Sequence, residues 1–201
     1  MFILKKLFIF SIVILSLSNC GGLIHFNQPE QRYESENTAL SAIYESVEEL
    51  YDHSNLIVTG KIDGNYKEFV LENNSEQMPV YRQYNLEVDK VLSNTSGIEV
   101  NSKDHITLNL TLAYVGNYEG GKTITYVSNP EFYEIQEGNY LWFLNGYYHT
   151  DLNQYVFTTN SPNHLYKESN GKFVNLIDAG VKKVTVKEVE KIVKRKESRE
   201  N

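Results

Sequence analysis

The only cysteine of this 201-residue chain stands at position 20, and it limits how the folded part can be held together. Two lysines, an apolar run over 7–17 and a few small and polar residues precede it. This order is typical of an export signal, and the run is too short for a membrane-spanning helix, which needs about 20 apolar residues. An exported chain with one cysteine has no internal disulfide. The part after the signal must therefore be stabilised by a hydrophobic core.

The residues that end this segment, Leu17-Ser18-Asn19-Cys20, resemble the lipobox of bacterial lipoproteins. The resemblance implies that 1–19 is a lipoprotein signal peptide and that Cys20 carries a diacylglyceryl group with fatty acyl chains such as palmitate. Two acyl chains give durable membrane attachment, whereas one chain is marginal. The implied location is the extracytoplasmic side of the cell membrane. In the alternative, Cys20 is an ordinary small apolar residue or a free thiol.

The charge of the chain argues against nucleic acid as a partner. It has 26 acidic and 19 basic residues, a formal net charge of −7, and removal of the signal would take away two of the lysines. Binding to nucleic acid requires a basic face that neutralises phosphates. We therefore expect no nucleic-acid partner.

The aromatic content favours a β-rich fold. Fifteen Tyr and nine Phe stand against four Ala, and aromatic side chains suit strands whereas Ala suits helices. The length is enough for one domain. The patterns predict a tether over 20–37 and a single domain over 38–201. Within that domain they predict a helix over 38–51, extended segments over 56–62, 66–71, 80–92, 105–115, 140–144, 155–158 and 173–177, turns at Asp63-Gly64-Asn65 and Asn145-Gly146, and a second helix opened by the capping box Thr185–Glu188.

One predicted strand, Tyr140-Leu141-Trp142-Phe143-Leu144, is apolar on both of its faces. This pattern indicates a strand that is covered by sheet on one side and by a helix on the other. We expect it to be the core strand.

The order of the segments resembles bacterial exported proteins with a TIMP-like or netrin-module-like OB barrel. The resemblance is carried by 55–62, 84–92 and 138–144, after a helix with a short polar turn. It implies a mainly β fold, an OB-like antiparallel barrel flanked by an N-terminal and a C-terminal helix. In the inhibitor branch of that family, an N-terminal cysteine held by disulfides chelates the metal of a protease. This chain has no disulfide, so metalloprotease inhibition is not expected.

Two segments match the residue pattern of a phosphate-binding or catalytic motif, but not the local structure that the motif needs. Gly116–Thr123 fits the phosphate-binding P-loop pattern, but the β-branched residues after it disfavour the helix that a P-loop needs. Ser169-Asn170-Gly171-Lys172 fits S-x-x-K, and its Asn-Gly pair predicts a turn. We expect two hairpin loops and no nucleotide.

The five histidines lack the spacing of a metal site, so no metal or other cofactor is expected. One histidine near a carboxylate, His149 with Asp151, falls in a predicted turn. A tyrosine-rich patch is the better candidate for a site, because amphipathic rings bind sugars and peptides at interfaces. The alternative is packing at strand edges. The candidate residues are Tyr147, Tyr148, Tyr155 and Tyr166.

The C-terminal helix ends in a basic stretch. One interpretation places this stretch against anionic lipid headgroups near the anchor. The other is that cations near a helix C-terminus are ordinary. The residues concerned are Lys191, Lys194, Arg195 and Lys196.

These features favour a lipid-anchored, non-enzymatic binding module of the bacterial envelope, whose partner is an envelope protein or a glycan. The alternatives are an envelope hydrolase with a site assembled only in three dimensions and a purely structural lipoprotein. A hydrolase would show a deep pocket in which His149 or another histidine meets a carboxylate. A binding module would show a shallow groove lined by tyrosines.

Overall fold

A computed structural model of the protein describes residues 42–72, 77–118, 121–126 and 134–200. The predicted signal peptide, Cys20 and the predicted tether lie outside these ranges. None of the helices within them is long and apolar enough to cross a membrane. The described elements are α1 (Val47–Asp52), β1 (Leu56–Val70), β2 (Gln77–Asn94), β3 (His105–Tyr118), β4 (Gly121–Tyr126), β5 (Gly138–His149), β6 (Gln154–Thr159), β7 (Tyr166–Ser169), β8 (Lys172–Asn175), β9 (Lys183–Val184) and α2 (Val186–Glu200).

Five of the strands close into a ring in the order β1-β2-β3-β6-β5, and β5 returns to pair with β1. All neighbours in the ring are antiparallel except β3 and β6, which run parallel and meet at Leu108 and Phe157. Outside the ring, β4 pairs with β3, and β7, β8 and β9 add to the sheet in that order beside β5. A five-stranded Greek-key barrel is the OB architecture. The predicted mainly β, OB-like barrel with a helix near each end is confirmed, with one parallel contact in its ring.

β5 is shared by the two hydrophobic clusters of the fold. Successive side chains of a strand point to opposite faces. Tyr140, Trp142 and Leu144 lie inside the ring, whereas Leu141 and Phe143 lie in a second cluster under the helices. All five are at most 2% exposed. The predicted core strand, covered on both faces, is therefore confirmed. The helices contribute to the second cluster Leu50, Val189 and Val193.

The first helix is shorter than predicted. The described chain before Val47 is not helical, and Ser46 is the N-cap, since its hydroxyl accepts a hydrogen bond from the backbone N–H of Glu49 (3.1 Å). A Ser at this position satisfies an N–H that has no partner within the helix. Ile43 lies within the predicted helix but is 52% exposed. The prediction of a helix over 38–51 is therefore wrong for 42–46, and 38–41 lie outside the described residues.

Asp63-Gly64-Asn65 does not reverse the chain. β1 pairs with β2 at Ile62 and again at Tyr66, so three residues of β1 stand opposite one residue of β2. The predicted turn is a bulge, which bends a strand without ending it. The two extended segments predicted on either side of it are one long strand.

Asn145-Gly146 is also not a turn, because β5 continues through it to His149. The side chain of Asn55 donates to the carbonyl oxygen of Gly146 (3.2 Å) and accepts from its N–H (2.7 Å). Asn55 directly precedes β1. Its side chain therefore bonds the backbone of β5 just beyond the end of the β1–β5 pairing at Leu56 and Leu144. A side chain 91 residues away thus replaces the local hydrogen bonds that a turn would have made.

Replacing Gly146 with Ala is expected to lower the free energy of unfolding by about 1–3 kcal/mol, the usual cost of overpacking a core. A Cβ at this position would lie 2.5 Å from a ring carbon of Phe157, which is 2% exposed inside the barrel. Urea denaturation measures the effect. Phe157→Leu removes the ring, so in that background the same substitution should cost less than half as much. Equal costs in both backgrounds would mean that this contact is not the cause.

The second helix is held at both of its ends. Thr185 and Glu188 form the predicted capping box, since the Glu188 carboxylate accepts from the Thr185 N–H (2.7 Å) and the Thr185 hydroxyl accepts from the Glu188 N–H (3.3 Å). Near the C-terminus, Arg195 contacts Glu48 (2.7 Å) and Lys196 contacts Asp52 (2.7 Å), and both acidic residues belong to α1. Two of the four basic residues considered for lipid headgroups are therefore paired with acidic residues of the protein.

Candidate functional site

The four candidate tyrosines do not share one surface. Tyr147, Tyr148 and Tyr155 lie at the end of the β5–β6 hairpin and are 41%, 47% and 57% exposed. Tyr166 is fully buried, because β7 pairs it with Leu141 and its ring packs in the second cluster. Tyr166 is therefore a core residue, and the prediction that it belongs to the tyrosine patch is wrong.

The hairpin presents its tyrosines on two opposite sides. Tyr148 and Tyr155 are directly opposite across the hairpin, and their rings meet edge to face at 73° with centroids 5.2 Å apart. Tyr147 points the other way, as alternation along a strand requires. Its ring lies beside that of His149, with centroids 6.0 Å apart. The predicted patch is thus one exposed pair and one separate tyrosine.

Tyr147 belongs to a larger group of side chains on the outside of the barrel. The Tyr147 hydroxyl shares a hydrogen bond with the side chain of Asn109 on β3. On β2, the Tyr81 hydroxyl lies 3.1 Å from Nε2 of His149, and Gln83 pairs with Asn109 across the sheet. We call this group the outer tyrosine face. It consists of Tyr81, Gln83, Asn109, Tyr114, Tyr147 and His149.

Three buried polar atoms of this face have no hydrogen-bond partner within the described residues. They are Gln83 Nε2, Asn109 Oδ1 and His149 Nδ1. Asn109 is only 1% exposed. Buried polar groups are nearly always paired, and an unpaired one costs about 1–3 kcal/mol. Each of these atoms is also closed off from solvent, so another molecule could contact it only after the side chains that cover it move.

The hydroxyls of Tyr81 and Tyr147 are neutral over the physiological pH range. Burial raises the pKa of Tyr81 to about 12, and the nearby hydroxyls of Tyr147 and Tyr114 add to the effect. Burial also raises the pKa of Tyr147, although the hydrogen bond to Asn109 opposes the shift. Each hydroxyl can therefore both donate and accept a hydrogen bond.

An open groove of about 410 Å³ continues from this face across β1, β2 and β3, and the two share Gln83. The groove contains one acidic and one basic side chain, so its formal charge is balanced. The other lining side chains are uncharged and polar or aromatic. The lining residues are Asp63, Asn65, Tyr66, Lys67, Gln83, Tyr84, Asn85 and Thr107.

The described residues do not assemble the catalytic or metal-binding groups that a hydrolase would need at His149. Its contacts are with the rings and hydroxyl of Tyr81 and Tyr147, and in the described part of the chain it forms no ion pair with Asp151. No group of three or more His, Cys, Asp or Glu side chains in these ranges could hold a metal ion.

Both letter matches fall in hairpins. Gly116 of β3 pairs with Thr123 of β4, and a strand follows where a P-loop would need a helix. Ser169 and Lys172 are paired at the end of the β7–β8 hairpin, on either side of the predicted Asn-Gly turn. Neither segment has the local structure of its motif.

Alternation along β3 was the signal that could locate part of the face from sequence. Thr107, Asn109 and Thr111 alternate with leucines along the chain, and Leu108 and Leu110 lie in the barrel core. The contact between Asn109 and Tyr147 could not be read from the sequence, because it depends on β6 lying beside β3. No protein-family model, curated protein or solved structure matches this chain.

Proposed function

We propose that the protein is a lipid-anchored, exported binding module of a bacterial envelope and that it binds its partner on the outer tyrosine face. The observation that carries the proposal is the open groove of about 410 Å³ beside the half-exposed Tyr114 and Tyr147. The lipobox-like sequence at Cys20 supports the anchor. Each exposed tyrosine offers an apolar ring and a polar tip, which suits contact with a partner.

The two competing functions account for these features less well. A hydrolase site at His149 needs a carboxylate or nucleophile beside it, and the contacts of His149 in the described part of the chain are with Tyr81 and Tyr147. A purely structural lipoprotein gains nothing from an open polar groove beside exposed tyrosines. The exposed pair Tyr148 and Tyr155 is a weaker candidate, because neither residue lines the groove.

The anchor is tested by Cys20→Ala followed by membrane fractionation of cells. We expect the unaltered protein in the membrane fraction, and the variant released from it, because the thiol that would be acylated is gone. A variant that stays in the membrane fraction would refute the anchor and leave the binding face to be judged separately.

The binding face is tested by photo-cross-linking on intact cells. A photoreactive amino acid placed at Tyr114, which is 38% exposed, should give a discrete adduct. Tyr147→Ala in the same protein should greatly reduce that adduct. The matched control places the probe at Tyr155, on the other side of the hairpin, where we expect no adduct. Equal adducts from both positions, or none from Tyr114, would refute the proposed face.

A further inference from the structure

We infer that the outward side of α2 is a second membrane contact, where a cluster of lysines lies on the headgroups of anionic phospholipids. This inference rests on the proposed function, since the lipid anchor would bring the protein to the membrane. It names the surface that the anchored protein turns towards the bilayer. We call this surface the lysine face, and it consists of Lys90, Lys187, Lys191 and Lys194.

Most of the lysine face is one side of α2. Lys187, Lys191 and Lys194 follow the spacing i, i+4, i+7, which places them on the same side of a helix. All three are exposed. The opposite side of the helix is buried, because Val189 and Val193 pack in the second cluster. The lysines therefore point directly away from the protein.

Positive charge is concentrated in this part of an acidic chain. Residues 183–196 contain six basic and two acidic side chains, whereas the whole chain has a net charge of −7. The amine of Lys90, on β2, lies 2.5 Å from the carboxylate of Glu190, and this contact is the main cause that holds the pKa of Glu190 below its usual range. Lys194 and Lys187 lower that pKa further. Three lysines thus share one carboxylate, which leaves a positive excess.

The stability of the helix does not explain this arrangement. A cation near the N-terminus of a helix opposes the helix dipole, and Lys187 is the second residue of α2. Like charges four residues apart destabilise a helix, and Lys191 stands four residues from both Lys187 and Arg195. Arg195 is paired with Glu48 of α1 on another flank of the helix. A surface of anionic headgroups supplies the negative charge that the lysine face lacks.

The position of α2 relative to the start of the described chain favours a membrane as the source of that charge. The described chain begins at Ala42, shortly before α1, and α1 is joined to α2 by the ion pair of Glu48 and Arg195. Ala42 follows Cys20 by 22 residues, which span at most about 75 Å. An anchor at Cys20 therefore keeps the lysine face within reach of the headgroups.

Contact through the lysine face leaves the outer tyrosine face accessible. Lys90 and Tyr81 lie nine residues apart on β2, a separation of up to about 30 Å along a strand. The bilayer and a partner on the outer tyrosine face therefore occupy different surfaces.

The contact is weak without the anchor, because exposed charges are screened over about 8 Å at physiological salt. Release of Cys20→Ala in the fractionation test is therefore still expected. Washing the membranes in about 0.5 M salt, where screening is stronger, removes any contribution of the lysine face to that result.

The experiment measures binding of the full mature chain, residues 20–201, to lipid vesicles. The chain carries Cys20→Ala, so no acyl chain contributes. The vesicles contain phosphatidylcholine alone or with about one third phosphatidylglycerol, and sedimentation at about 0.05 M salt gives the partition coefficient. We expect binding to the anionic vesicles only, and its loss at about 0.5 M salt. Lys187→Gln, Lys191→Gln and Lys194→Gln together should lower the partition coefficient about 100-fold, at about fivefold for each lysine.

The matched control removes the same charge elsewhere. Lys61→Gln, Lys103→Gln and Lys122→Gln together alter β1, the segment before β3, and β4. This variant should bind within about threefold of the parent, because distant charges are largely screened. Thermal melting checks that both triple variants are folded. Equal losses in the two would overturn the inference, since only the net charge would then matter.

Two further outcomes would overturn the lipid surface. The first is equal binding to neutral and anionic vesicles, or binding to neither. The second is displacement by sodium phosphate that exceeds displacement by sodium chloride at the same ionic strength, which would indicate a discrete phosphate site. None of these results depends on acylation. The anchor and the outer tyrosine face are therefore decided by their own tests, whichever way this one ends.

Discussion

The free energy of unfolding is expected to fall by about 3–5 kcal/mol when Trp142 is replaced by Ala, the usual range for removing a large buried aromatic side chain. Trp142 is 1% exposed inside the ring of strands, where its side chain lies against Tyr140 with centroids 5.2 Å apart. The substitution would leave a cavity beside β5, the strand whose side chains belong to both hydrophobic clusters. Equilibrium denaturation in urea measures the loss.

Trp142→Phe is the informative control. The indole Nε1 of Trp142 is buried and has no hydrogen-bond partner among the described residues. Phenylalanine keeps much of the packing and removes this unpaired N–H, which costs about 1–3 kcal/mol where it is buried. We therefore expect Trp142→Phe to cost less than half as much as Trp142→Ala. Equal losses would contradict this expectation.

Acidification is expected to remove about 3 kcal/mol of stability through a single histidine, His164. The backbone N–H of Tyr44 donates to its Nε2 atom (2.9 Å), so Nε2 carries no proton and Nδ1 does. Nδ1 faces the hydroxyl of Tyr166 (3.3 Å), which in turn donates to the carbonyl oxygen of Val181 (3.0 Å). Protonation of Nε2 would eliminate the acceptor that Tyr44 uses.

The pH window follows from the direction of the shift. Burial lowers the pKa of His164 from 6.5 to about 4 in the folded protein. Between these values the unfolded chain binds a proton that the folded chain does not, so stability falls as the pH decreases from about 6.5 to about 4. Urea denaturation at pH 7, 6, 5 and 4 measures this decline.

His164→Gln provides the control for this effect. Its amide oxygen can accept from the Tyr44 N–H, but the side chain does not titrate. The variant should therefore show a much smaller decline than the unaltered protein between pH 6.5 and 5, where the carboxylates contribute least. An unchanged decline over that interval would mean that His164 is not its source.

The fold was largely predictable because its strands carry local patterns. The aromatic content and the two apolar faces of 140–144 indicated a β-rich fold with a helix packed on one strand, whereas the barrel was implied only by the resemblance of the segment order to OB-fold proteins. The errors arose where a distant residue supplied the deciding contact. Asn145-Gly146 looks like a turn until the side chain of Asn55 is placed against it, and Tyr166 looks like a surface residue until β7 is paired with β5.

The candidate site was less predictable than the fold, for two physical reasons. Asn109 and Tyr147 meet only because β6, the strand paired with the end of β5, lies beside β3. The register shift between Val80 and Tyr81 also adds one residue to β3, so Tyr114 falls on the same side as Asn109 although their spacing is odd. Neither the pairing nor the shift is marked by any local pattern.

The attachment of Tyr44 also determines how this protein would carry a mechanical load. Its N–H is held by His164, its carbonyl oxygen accepts from the Val181 N–H (3.2 Å), and the Ser161 hydroxyl donates to the carbonyl oxygen of Ala42. Tension applied from the N-terminal side therefore reaches the segments on either side of β7 and β8 before it reaches α1. If the chain is tethered at Cys20, these few hydrogen bonds carry the load first. The strands of the barrel come under load only after these bonds break.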